Sequence, residues 1–118
     1  MSDTHILDGV IPDVITHYFA LDGDRDIESI VSLFSDDATV IDQGHTYRGI
    51  AEIHAWQTGA ASEYIYSTQL FSAKPVERDR FVVTGRLTGN FPGGTAVLTW
   101  DFTLAADRIT RLVHHTAQ

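Results

Sequence analysis

Residues Thr95–Leu104 alternate with a period of two. Ala96, Leu98, Trp100, Phe102 and Leu104 fall on one side, and Thr95, Thr99, Asp101 and Thr103 on the other. A strand with one wholly apolar face has to bury that face under a second layer, so this segment demands a covered sheet. Three more segments read as strands of the same sheet: Tyr64–Ala73, Phe81–Gly89 and Ile109–Thr116. The breaks between them are Pro75 to Arg80, Asn90-Phe91-Pro92-Gly93-Gly94 and Ala106-Asp107. In Phe81–Gly89 the side that carries Phe81, Val83 and Leu87 also carries Gly85 and Gly89. Glycine inside a strand marks a bend or a close approach to the backbone. A curved sheet with small inner residues leaves room for a cavity beneath its cover.

The cover comes from the first half of the chain. Ile11, Val14, Ile15, Tyr18 and Phe19 have amphipathic-helix spacing, with Pro12 tolerable only in the first turn. Asp22-Gly23-Asp24 is expected to end this helix, and Asp24 to cap the next one, whose buried stripe is Ile27, Ile30, Val31 and Phe34. Ser35-Asp36-Asp37 then breaks to a strand over Ala38–Asp42. Gln43-Gly44-His45 turns into a short returning strand at Thr46–Arg48, and Gly49 opens a third helix through Ile50, Ile53, His54, Trp56 and Gln57. Helices followed by a long meander predict an α+β domain spanning residues 1–118, with three N-terminal helices packed on a curved, mostly antiparallel sheet.

Composition limits the partners. A chain of 118 residues with 43% hydrophobic and 20% charged residues is globular, and a formal net charge of −8 disfavours nucleic acid and anionic membranes. There is no cysteine, hence no disulfide or thiolate chemistry. The N-terminus lacks the basic start and apolar run of a signal peptide, and no segment reaches the length of a membrane helix, so a cytoplasmic protein is expected. Asp22, Asp24 and Asp26 imitate the start of a calcium loop, but Ile27 and Leu33 stand where its Gly and Glu belong. The histidines show no metal-ligand spacing, and no metal or cofactor is expected.

The helix ending in Tyr18, the run DRDIESIVSLFSDDATVID, Tyr47-Arg48-Gly49 opening a helix, the GNFPGG turn, the LTWDFTL strand and the closing RITRLVHH together resemble the nuclear transport factor 2-like superfamily. The nearest branch is SnoaL-like and ketosteroid-isomerase-like, and the resemblance implies that the α+β domain is a cone-shaped roll. In ketosteroid isomerases a first-helix Tyr donates to the substrate oxygen, and an Asp at the end of the strand after A-T-V moves the proton. The resemblance puts those roles on Tyr18 and Asp42. The carboxylate base beside an oxyanion hole is that enzyme's known arrangement. The second oxyanion donor of the family, a carboxylic acid, falls on Trp100 here, with Asp101 on the opposite face, so steroid-type isomerisation is not implied.

The residues themselves leave alternatives open. Asp42 shares a strand face with Val40, where apolar surroundings would suit a general base, but a strand-end Asp also caps a turn. Tyr18 lies on a buried helical stripe, where a phenol needs a partner of some kind. Of His114 and His115 only one can face inward, and parity with Leu112 selects His114. The resemblance brings Trp56 and Gln57 to the cavity, and strand parity adds Val83, Gly85, Leu87, Leu98, Trp100, Phe102 and Leu112 as its expected wall. Two functions follow. The first is a cofactor-independent isomerase or cyclase acting on a small hydrophobic molecule, with Asp42, Tyr18 and His114 catalytic. The second is a non-catalytic ligand-binding or dimerisation domain. An epoxide hydrolase would need an Arg between acids in the cavity, and Arg86 is expected on the other face. The outer sheet face (Thr84, Arg86, Val97, Thr99, Asp101, Val113) is expected to pair two copies into a homodimer.

Overall fold

The computed structural model describes residues 12–59 and 64–116. Among them, the elements run α1 (Asp13–Asp24), α2 (Ile27–Val31), β1 (Phe34–Asp42), β2 (His45–Arg48), α3 (Gly49–Thr58), β3 (Tyr66–Glu77), β4 (Arg80–Gly89), β5 (Thr95–Ala105) and β6 (Arg108–Thr116). The strands form one six-stranded mixed sheet in the order β2-β1-β6-β5-β4-β3. Only the β1–β6 pair is parallel. The α+β plan is the expected one, with three helices of which α2 is only five residues long, and α3 follows the β1–β2 hairpin as the order of the sequence segments predicts.

Several boundaries differ from expectation, each for a local reason. Ile11 lies outside the described residues. Helix α1 continues through Gly23 to Asp24 and stops only where Arg25 turns left-handed at φ 57°. The cap of α2 is therefore Asp26, not Asp24: its carboxylate accepts from the Ser29 backbone N–H at 3.3 Å and the Ser29 hydroxyl at 2.8 Å. Phe34 belongs to β1, paired with Ile109, because the register between β1 and β6 shifts before Thr39 and absorbs the acidic Ser35–Asp37 stretch as an irregularity. Pro75 does not break β3, which runs on to Glu77. As an edge strand, β3 can spare a backbone donor.

The core lies between the helices and the inner sheet face. Val14, Ile15, Tyr18 and Phe19 of α1 and Ile53 and Trp56 of α3 are buried against Phe81, Val83, Leu98, Trp100, Phe102 and Leu112. Aromatic edges organise it. The Tyr18 ring meets Phe102 at 5.4 Å and Phe34 at 6.4 Å, and Phe19 meets Trp100 at 5.1 Å, all near perpendicular. Gly85 and Gly89 allow a close approach by the neighbouring strand. A methyl at Gly85 would sit 2.6 Å from the Gln69 carbonyl oxygen, and one at Gly89 would collide with the Ile65 carbonyl. No helix among the described residues is long and apolar enough to cross a membrane.

Candidate functional site

Three neighbouring strands set one polar row. The pairing of β1 with β6 puts Asp42 opposite His114, and the pairing of β6 with β5 puts His114 opposite Trp100. All three residues lie on the inner face. Asp42 sits at the strand end because Gln43 (φ 51°) and Gly44 (φ 86°) form the two-residue loop to His45, with positive φ at both positions. The Gln43 backbone N–H donates to the His114 carbonyl at 3.0 Å and fixes that end.

Helix α3 adds the next contact. The Trp56 indole N–H donates to Asp42 Oδ2 at 2.9 Å, while Asp42 Oδ1 lies 3.6 Å from His114 Nδ1. His114 stacks on Trp100 with ring centroids 4.9 Å apart. Both its ring nitrogens are buried without a hydrogen-bond partner among the described residues. Burial pushes the His114 pKa down, against a smaller upward pull from Asp42. The imidazole is therefore neutral at neutral pH.

Helix α1 brings two groups one turn apart. Tyr18 is 3% exposed. Burial drives its phenol well above the ordinary range, and Asp22, Tyr66 and Asp42 push it the same way, while a side-chain hydrogen bond with the fully buried Gln57 opposes them. Asp22 receives the Tyr66 hydroxyl at 3.3 Å from Oδ2 and approaches Arg25 at 3.6 Å. Burial raises its carboxyl pKa, with Arg25 and Tyr66 pulling it down.

These groups surround a cavity of about 350 Å³. Of the expected site residues, Asp42, Tyr18, His114, Trp56, Gln57, Leu87, Leu98 and Trp100 line it. Val83, Phe102 and Leu112, expected on its wall, do not: each is fully buried in the packed core below. Gly85 is also absent from the wall, its inner side being taken up by the backbone of β3. His54 lies outside the cavity, on the surface, 2.6 Å from Glu28. Arg86 is exposed and covers the Phe71 ring at 5.1 Å, away from the cavity.

The lining residues not anticipated are Asp22 and Tyr66 at one end, Tyr64, Phe91 and Pro92 near the β4–β5 turn, and Gln43, Ala96 and Thr116. Asp22 was legible in principle. It follows Tyr18 by four residues, hence on the same helical face, once the helix is allowed to run past Gly23. Among the described residues no cluster of three His, Cys, Asp or Glu side chains could hold a metal ion.

A curved α+β sheet roofed by helices, with a polar row and a phenol around a cavity, is an arrangement of the ketosteroid-isomerase-like fold. The chain belongs to the SnoaL-like domain family, whose model matches residues 15–112. A proposed polyketide cyclase (protein SMa1630) from Sinorhizobium meliloti is 30% identical, with a TM-score of 0.82 over 89% of this chain and 95% of that one. A protein of ketosteroid-isomerase-like fold from Catenulispora acidiphila, solved with trimethylamine, has 16% identity and a TM-score of 0.79 over 92% and 88% of the two chains. RV0760c from Mycobacterium tuberculosis, solved with estradiol-17beta-hemisuccinate, has 15% identity and a TM-score of 0.75 over 88% and 91%. No functionally curated protein matches the sequence.

Proposed function

We propose that the cavity binds a small hydrophobic carbonyl compound and moves a proton beside the carbonyl, as a cofactor-independent isomerase or aldol-type cyclase. Asp42 takes the proton from the α-carbon. The C–H electron pair passes into the enolate, whose oxygen accepts a hydrogen bond from the Tyr18 hydroxyl. The enolate is then reprotonated at another carbon or attacks a second carbonyl. Neutral His114 and Gln57 assist from the walls.

The observation that carries this reading is that Asp42 and Tyr18, supplied by a strand and a helix, line the same cavity. Two features support it. The raised phenol pKa keeps Tyr18 protonated and able to donate. The Trp56 N–H holds one Asp42 oxygen and orients the carboxylate. The similarity to a proposed cyclase favours the same reaction class, and two proteins of this fold solved with small molecules favour a ligand cavity.

The test is a thermal-shift screen against hydrophobic ketones and enones, followed by turnover of the hits. One oxyanion donor is worth ~10²–10³ in rate, so Tyr18→Phe is expected to cut turnover by that factor. Undiminished turnover in that variant contradicts the assigned role. The Trp56–Asp42 hydrogen bond also favours a second reading, a ligand-binding domain in which Asp42 is structural. Tight binding of hits without any turnover selects it.

The outer sheet face is proposed to pair two copies. Thr84, Val97, Thr99 and Val113 are half-buried there, and Phe71 is 41% exposed beneath Arg86. A monomer in sedimentation at micromolar concentration contradicts this pairing.

A further inference from the structure

His114 lines the cavity, and 15% of its side chain is exposed there, yet neither ring nitrogen has a hydrogen-bond partner among the described residues. An orphaned polar atom at a cavity wall calls for a partner from the cavity's occupant. The ring is not free to turn elsewhere for one. It stacks on Trp100 with centroids 4.9 Å apart and planes 15° apart. Its strand is paired on both sides, to Asp42 and to Trp100, and its backbone carbonyl accepts from the Gln43 N–H at 3.0 Å.

The neighbouring carboxylate decides which nitrogen carries the proton. Nδ1 lies 3.6 Å from Asp42 Oδ1, too far for a hydrogen bond but close enough for charge to act. An N–H at Nδ1 is attracted by that oxygen, whereas a lone pair there would be repelled. Burial keeps the imidazole neutral, so Nε2 is left with a lone pair and needs a donor.

The nearby donors are committed elsewhere. The Trp56 N–H goes to Asp42 Oδ2, the Thr116 hydroxyl to Gln43, and Tyr18 is hydrogen-bonded to Gln57. Arg25 is held by Asp22 and lies over the Tyr66 ring. A hydroxyl is the smallest neutral group that a ligand can offer to Nε2.

We propose that the ligand carries a hydroxyl close to its reacting carbon and donates it to His114 Nε2, so that His114 selects hydroxylated carbonyl compounds over their deoxy counterparts. The two positions are close because Asp42 and His114 are register partners on adjacent strands, roughly 5 Å apart. This rests on the reading of Asp42 as the group beside the reacting carbon. A site shaped for a donor rejects the analogue that lacks one, because its own polar atom is then buried unpaired.

Three ketones with one bicyclic body test it: 8-hydroxy-2-tetralone, 8-methoxy-2-tetralone and 2-tetralone. The 8-substituent lies beside the benzylic α-carbon; the hydroxyl donates, the methoxy group only accepts, and the parent does neither. In calorimetric titration of the native protein, the hydroxy compound is expected to bind roughly five- to tenfold tighter than either of the others. The isomer 6-hydroxy-2-tetralone, with its hydroxyl on the far side, is expected to show no such gain. In His114→Phe, which keeps a ring against Trp100 but no nitrogen, the preference is expected to vanish.

Nitrogen NMR of the native protein decides the matter even if that variant does not fold. Nε2 is expected to be unprotonated in the free protein, with a resonance that moves on adding the 8-hydroxy compound and not the 8-methoxy one. Equal affinities, tighter binding of the methoxy compound, an equal gain from the 6-hydroxyl or binding of none of the ketones overturns the proposal. So does a protonated Nε2, an unmoved resonance or an undiminished preference in folded His114→Phe. Exchange of the α-protons separates the two readings. A hydroxyl preference without exchange overturns the catalytic reading and leaves the His114 contact standing, whereas exchange with equal affinities overturns this proposal alone.

Discussion

The two ends of the inner sheet face are built from the same strands with the same alternation, yet one is solid and the other hollow. At the solid end Val83, Phe102, Ile109 and Leu112 are completely buried, and Phe34 is 1% exposed. At the hollow end, two residues further along the same faces, Leu98, Trp100, His114 and Asp42 line a cavity of about 350 Å³. Polarity differs in the same sense: the solid end is wholly apolar, while the hollow end holds a carboxylate, an imidazole and, from the helices, a phenol, an amide and a second carboxylate. Stability is concentrated at one end and chemistry at the other. Alternation reports which face a residue occupies and is silent on which end of the cone it reaches.

Substitutions can break that contrast. The largest effect is expected at the solid end, where Phe102→Ala leaves a closed void and should cost ~3–5 kcal/mol in urea unfolding. Leu98→Ala only enlarges an existing cavity and should cost clearly less, under ~2 kcal/mol. Equal losses at the two positions would mean that both ends are packed alike.

Gly85→Ala forces a methyl against the Gln69 carbonyl oxygen at 2.6 Å and should destabilise by ~1–3 kcal/mol without altering ligand affinity. An effect on affinity alone would return Gly85 to the cavity wall. Trp56→Phe keeps most of the ring bulk and deletes the hydrogen bond to Asp42. It is expected to cost about 1 kcal/mol in folding and to lower turnover with little change in ligand affinity.

The smallest effect is electrostatic. Burial holds the His114 pKa below its ordinary value of 6.5, so below that pH the unfolded chain binds the extra proton first. The stability due to neutral His114 is complete above pH 6.5 and is lost as pH falls through the lower folded value. His114→Asn should flatten that slope in thermal melts across the window. An unchanged slope would mean that another group titrates there.

Much of the fold was legible because its signals are local. The alternation in β5, the glycines of β4 and the helical stripe of α1 each state a period and a face. The polar row was partly legible for the same reason: parity sent His114 inward and His115 outward, and the end of β1 placed Asp42. What escaped depended on longer-range facts. Asp22 was read as a terminator because Asp-Gly-Asp usually ends helices, yet α1 continues and carries Asp22 to the cavity one turn beyond Tyr18. Tyr66 reaches the cavity from the far edge strand, where it meets Asp22 of helix α1, a pairing that no local pattern encodes. Val83, Phe102 and Leu112 were placed on the right face and at the wrong end.

The most direct test of the account is deuterium exchange. A cyclic ketone that binds the native protein is incubated with it in D₂O, and loss of the α-proton signals is followed by NMR. The account predicts exchange well above the buffer rate, abolished in Asp42→Asn and reduced ~10²–10³-fold in Tyr18→Phe. Exchange at the buffer rate with the ketone demonstrably bound, or exchange undiminished in Asp42→Asn, would contradict it.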